Sequence, residues 1–134
     1  SFWRVNMRPG KPLAFGDYRG TAFIGLPGNP VSAFVGFEVF VRDAVLCMSG
    51  VQTSKRRLYT ARLLEELHSD GRESYLRAIV DQTPHGRVAR LTGHQGSGNL
   101  RSLVSANALL VVPSGVQFVP VGEEVQYWPL DEAN

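Results

Sequence analysis

The sequence predicts two joined architectures: an α/β segment, then a small all-β, barrel-like domain. Three observations support this. Residues 1–50 read as strand, turn, strand, turn and one long helix, the order of an α/β layer. Residues 51–57 are polar and basic, without a periodic apolar pattern, and read as a linker. Over 58–134 apolar residues alternate in short runs parted by turn signals, the pattern of a small barrel or sandwich.

Each element has a local reason. Phe2 to Met7 is an extended, strand-like run. Two prolines and a glycine in Arg8-Pro9-Gly10-Lys11-Pro12 exclude helix there. Leu13 to Phe15 is apolar, Gly16 to Gly20 reads as a polar turn, and Thr21 to Ile24 as a second strand. A helix over Pro30 to Met48 follows and stops at Ser49-Gly50. Val31, Phe34, Val35, Phe37, Phe40, Val41, Val45 and Leu46 cover most of its circumference. Burial on several sides is therefore expected, by a sheet and by another chain or domain. These strands are too few to close a sheet alone, and the chain opens at Ser1 inside a strand pattern. Both features predict a segment of a longer protein. In the second half, strands are expected at Leu58–Leu67, Ser74–Asp81, Gly86–Thr92, Ala108–Pro113 and Glu123–Leu130. His68 to Gly71 is expected as a turn, and Leu100 to Ala106 as a short helix.

Composition narrows the function. Hydrophobic residues make up 43% of the 134, enough for a packed core and too many for a disordered chain. The net charge of +2 comes from the first half, since the second carries nine Lys/Arg against nine Asp/Glu. A nucleic-acid surface is not expected from such a balance, whereas a local anion site is. Glu38, Arg42 and Asp43 interrupt the apolar helix, so it reads as buried and not membrane-spanning. The single cysteine, Cys47, can form no internal disulfide and is expected to be a small buried hydrophobe in a reducing compartment.

Three loops could hold an anion. In Arg8-Pro9-Gly10-Lys11-Pro12 the prolines fix two cations, or else the loop is an ordinary solvated turn. Gly25-Leu26-Pro27-Gly28-Asn29-Pro30-Val31-Ser32 runs from strand to helix. Asn29 can cap that helix, Pro30 suits its first turn, and the free N–H groups face one point. A tight turn that binds nothing fits the same residues. Gly93-His94-Gln95-Gly96-Ser97-Gly98-Asn99 again combines glycines, a hydroxyl and a helix start. Arg72 and Arg77 add cations on opposite strand faces. The structural alternative for them is pairing with Glu73 or Asp81. No Ser-His-Asp set, zinc spacing, Rossmann motif or carboxylate pair is present.

Taken in order, Met7 to Pro12, Gly25 to Ser32, Gly71-Arg72 with Arg77, and Gln95-Gly96-Ser97-Gly98 resemble the molybdopterin molybdenumtransferases. These are the MoeA-type enzymes, related to the E domain of gephyrin. The resemblance covers nearly the whole chain. It implies that residues 1–50 are the C-terminal part of the molybdopterin-binding α/β domain, 51–57 the linker, and 58–134 the C-terminal β-barrel-like domain. The implied activity belongs to molybdenum cofactor biosynthesis: a transferase inserts molybdate into adenylylated molybdopterin and releases AMP, with magnesium. A cytoplasmic homodimer is implied, with the molybdopterin adenylyltransferase as a partner. By the same resemblance Arg8, Lys11, Ser32, Arg77 and Ser97 would line the molybdate pocket where the two domains meet. Arg4, Pro27, Gly28, Asn29 and Pro30 would face the pterin nucleotide. Catalytic and metal-binding carboxylates are expected upstream of Ser1, so no catalytic or metal residue is assigned here and the segment should not turn over alone. Arg8 departs from the lysine of many relatives, placing a planar fork where they have a point charge. A non-catalytic gephyrin-like scaffold that binds partner proteins is the alternative.

Overall fold

The computed structural model describes residues 2–4, 7–8, 14–25, 35–50, 57–92 and 105–130. The first segment contains strands β1 (Phe2–Arg4), β2 (Met7–Arg8), β3 (Ala14–Tyr18) and β4 (Thr21–Gly25). Strands β1, β3 and β4 form an antiparallel sheet in that order. The single strand expected over Phe2 to Met7 is two strands in two sheets, since β2 pairs elsewhere. The turn expected over Gly16 to Gly20 is narrower. Gly16, Asp17 and Tyr18 pair with Phe23, Ala22 and Thr21, leaving only Arg19-Gly20 to reverse the chain. Both turn residues have positive φ, 50° and 81°. That is the requirement of a two-residue hairpin turn whose twist matches its strands. Cross-strand pairing here overrides the weak strand propensity of Gly16 and Asp17.

A π-helical turn, Phe37–Val41, leads into α1 (Arg42–Met48). The helix ends as expected, with the Ser49 and Gly50 amides donating to the carbonyls of Val45, Leu46 and Cys47. Its burial differs from expectation. Val35 is fully buried, but Phe37, Val45 and Met48 are 39%, 50% and 78% exposed, and Cys47 is exposed too. Among the described residues, Val35 and Val39 lie against apolar residues of the second half, while α1 buries no residue.

The second half contains β5 (Tyr59–Leu63), β6 (Leu67–His68), β7 (Glu73–Thr83), β8 (Gly86–Leu91), β9 (Ala108–Val112), β10 (Phe118–Val119) and β11 (Glu124–Pro129). Strands β7, β8, β5, β11 and β9 follow one another around a ring, and β9 pairs back onto β7, closing a five-stranded barrel. Closure leaves no free edge on the ring. The strand expected over Leu58 to Leu67 stops at Leu63, because Leu67 and His68 pair instead with Val119 and Phe118 in a separate ribbon. The helix expected over Leu100 to Ala106 falls mostly outside the described residues.

Alternation places one side chain set inside. Ala61, Leu63, Leu76, Ala78, Ala89, Leu110, Val112, Val125 and Tyr127 form the barrel core. Strand β9 is buried on both faces, as its unbroken apolar run predicts: Leu110 points inward, while Leu109 joins Tyr75 and Val35 in a second cluster outside. Trp128 and Leu130 extend that outer cluster, and the Tyr75 and Trp128 ring centres are 5.5 Å apart.

Candidate functional site

Strand β7 organises the site. Leu76 and Ala78 face the barrel interior, so Tyr75 and Arg77 face outward. That outer face is covered: Tyr75 packs beside Val35, and Arg77, opposite Leu109 in the ladder, is only 1% exposed. Burial lowers the Arg77 pKa, yet a guanidinium keeps its charge in a protein. A charge taken out of water costs several kcal/mol. The same low dielectric strengthens its attraction for any anion that reaches it.

Arg8 attaches to the same strand. Strand β2 runs parallel to β7, with Met7 opposite Glu73 and Arg8 opposite Ser74. One edge of Ser74 belongs to β9, so β2 takes the other edge, along which β8 lies further on. The backbones of Arg8 and Arg77 are therefore joined to one strand three residues apart, about 10 Å along it.

Thr92 and Asn107, on either side of residues 93–106 in the sequence, are both bonded to β7. The Thr92 amide and hydroxyl both donate to the Arg77 carbonyl at 3.3 Å. After residues 93–104 the chain returns at Asn107, whose amide donates to the Ala78 carbonyl at 3.0 Å. The Asn107 side chain accepts from the Val80 amide at 2.8 Å and donates to its carbonyl at 3.0 Å. Asn107 thus imitates one more residue of the β9 ladder. Asn107→Ala should cost about 1–3 kcal/mol, because it strands both polar groups of Val80. Chemical denaturation measures this, and an unchanged midpoint contradicts it.

The turn before β7 is equally fixed. Arg72 Nε and a terminal nitrogen donate to the same Asp70 oxygen at 3.0 and 2.6 Å, and that bond raises the Arg72 pKa. Its partner is thus Asp70, not Glu73 or Asp81. Gly71 has φ +94°, and a side chain there would also crowd Gln117 at 3.3 Å. The Ser74 hydroxyl, fully buried, donates to the Arg72 carbonyl at 2.8 Å and lies 2.9 Å from the Ser69 hydroxyl. Glu73 accepts the Tyr75 hydroxyl at 2.6 Å.

Burial first, and then Glu73, raises the Tyr75 pKa from its ordinary 10.0. The folded state therefore prefers the neutral phenol. Its contribution is intact below the ordinary tyrosine range and is lost as pH climbs above it toward the raised folded value. Tyr75→Phe is expected to flatten the fall in stability above about pH 10. Urea unfolding followed along an alkaline pH series checks it, and equal slopes in both proteins contradict it.

The remaining expected residues separate into two groups. Arg4 lies in β1, with its backbone opposite Ala14 in the three-stranded sheet. Lys11, Ser32, Ser97 and Pro27 to Pro30 lie outside the described residues. Thr92, Asn107 and the Tyr75–Glu73 bond were not legible as site features. Among the described residues no three His, Cys, Asp or Glu side chains converge to hold a metal ion. No described helix is long and apolar enough to cross a membrane.

The fold defines the class: a small closed β-barrel that takes a strand from a preceding sheet-and-helix segment. Comparison with known proteins gives the family. Residues 60–130 match the family model described as "MoeA C-terminal region (domain IV)", and residues 1–47 match "Probable molybdopterin binding domain". The chain belongs to the MoeA C-terminal region family. It is 41% identical, over 96% of its own length and 32% of the relative's, to molybdopterin molybdenumtransferase 2 of Mycobacterium tuberculosis. It is 35% identical to the molybdenum cofactor synthesis protein cinnamon of Drosophila melanogaster, over 94% of this chain and 21% of that one. The molybdopterin biosynthesis MoeA protein of Pyrococcus horikoshii OT3 superposes with a TM-score of 0.74 at 30% identity, covering 92% of this chain and 31% of that structure. The chain thus spans about a fifth to a third of the curated relatives' length.

Proposed function

We propose that this chain supplies the molybdate-holding part of a molybdopterin molybdenumtransferase in molybdenum cofactor biosynthesis. The observation that carries the reading is the buried Arg77 cation on the covered face of β7, with Arg8 joined to the same strand and Thr92 bonded to the Arg77 carbonyl. Molybdate is a doubly charged tetrahedral oxyanion. A water-poor site with guanidinium forks, an ammonium and hydroxyls suits it, because charge-assisted bonds are strongest there. Arg8, Lys11, Ser32, Arg77 and Ser97 are the proposed molybdate contacts. Arg4 and the Pro27-Gly28-Asn29-Pro30 loop are proposed to face the nucleotide of adenylylated molybdopterin, whose AMP leaves as molybdate enters. Residues 1–50 and 58–134 act as the two walls of the pocket, with 51–57 between them.

Magnesium belongs to this proposed reaction, but the described residues offer no ligand cluster, so its carboxylates would come from other parts of the enzyme. A cytoplasmic homodimer that receives its substrate from the molybdopterin adenylyltransferase completes the reading.

Lys11→Ala in the full-length enzyme tests it. Loss of one charge-assisted contact, roughly 1.5–3 kcal/mol, should reduce molybdate-dependent turnover by about one to two orders of magnitude. Turnover equal to that of the unaltered enzyme removes Lys11 from the pocket.

A further inference from the structure

On one edge of β7 the partner strand changes near Arg77. Strand β8 pairs with Ala78 to Thr83, whereas β2 pairs only with Glu73 and Ser74. Tyr75, Leu76 and Arg77 lie between these two stretches, with β9 as their ladder partner on the opposite edge. The guanidinium that is only 1% exposed is thus rooted at a junction of the ladder.

At that junction the Arg77 carbonyl accepts from the Thr92 amide and from the Thr92 hydroxyl, each at 3.3 Å. Thr92 follows Leu91, the last residue of β8, which pairs with Ala78. Any residue except proline could supply the amide bond, but the second donor needs a hydroxyl on a short side chain. The end of β8 is itself held from its other side. The Leu91 amide donates to Glu65 Oε2 at 3.2 Å, and the Ala89 carbonyl accepts from the Leu64 amide at 2.9 Å. Across β7, the Asn107 amide donates to the Ala78 carbonyl at 3.0 Å. The successive carbonyls of Arg77 and Ala78 are therefore held from opposite edges of the strand.

We infer that Thr92 is a positioning residue: its hydroxyl fixes the peptide plane from which the Arg77 side chain leaves, and so aims the buried guanidinium at its anion. The arginine side chain is a long lever. A small rotation at its root becomes a larger displacement of the fork, and a misplacement of about 1 Å is costly at a site that must hold a reactant in one geometry. Burial sharpens the requirement, because a guanidinium removed from water has few alternative places to rest. This inference rests on the molybdate reading, since it needs Arg77 to contact the ion.

The test is a double-mutant cycle in the full-length enzyme. Thr92→Val keeps the branched shape and the amide bond and removes the hydroxyl donor. The molybdate concentration giving half-maximal turnover is expected to rise about three- to tenfold, the range of one neutral hydrogen bond. Thr92→Ser keeps the donor and is expected to recover most of that loss. In an Arg77→Met background, Thr92→Val is expected to change nothing further, because the group it aims is gone. A Thr92 that served the fold alone would cost the same in both backgrounds. Thermal unfolding of each variant checks the fold, and Thr92→Ala, which also lacks the donor, replaces Thr92→Val if valine is not accommodated. The inference is overturned by an unchanged half-saturation without the hydroxyl, by an equal loss in the Arg77→Met background, or by no recovery with serine. Where Arg77→Met is impaired and Thr92→Val is not, Thr92 alone loses its role. Where Arg77→Met turns over like the parent, the molybdate reading fails and this inference fails with it.

Discussion

Replacing Arg77 by methionine in the full-length enzyme is expected to reduce molybdate-dependent turnover by roughly two to four orders of magnitude. A fork can make two charge-assisted bonds to one oxyanion, each worth about 1.5–3 kcal/mol. Methionine keeps the length of the aliphatic stem and removes only the charge and the donors, so packing beside Leu109 is disturbed little. Arg77→Lys separates charge from shape. Lysine restores a point charge without the fork, so an intermediate loss is expected. Thermal unfolding of both variants distinguishes a missing contact from a missing fold. A folded Arg77→Met enzyme with undiminished turnover would falsify the role given to this residue.

Leu110→Ala should destabilise the protein by about 2–5 kcal/mol, the range for emptying a closed core position. Leu110 is fully buried and faces Leu76 on one neighbouring strand and Tyr127 on the other. A five-stranded ring has little room to collapse around a missing isobutyl group, because its strands are held in register on both sides. Urea or thermal unfolding gives the number directly. A shift under ~1 kcal/mol would mean that the wall relaxes into the space.

The barrel was readable in advance because alternation is a strong signal when one face is buried. Val125 and Tyr127 point into the core while Gln126 stays exposed, as their spacing requires. The first segment was harder. Gly16-Asp17-Tyr18 carries turn residues, yet the ladder with Ala22 and Phe23 decides their conformation. No local pattern distinguishes the end of β1 from the start of β2, since their separation depends on a partner strand more than sixty residues later. For the site, the family resemblance singled out Arg77, but its burial could not be seen in the sequence. An arginine on the outer face of a strand is ordinarily a solvated one. Here Val35 and Val39 come from another part of the chain to lie against that face. Thr92 and Asn107 were illegible for a related reason. Their work is hydrogen bonding to β7 from 15 and 27 residues further along the chain, which only the folded ladder brings together.

The greasy outer wall of Tyr75, Leu109, Val111 and Trp128 has one more consequence. Cut free of the polypeptide that shields it, the ring would carry an oily flank into water and stick to its own copies. Evolution can therefore shuffle this module only together with its shield, and changes on either partner of that seam must be matched by the other.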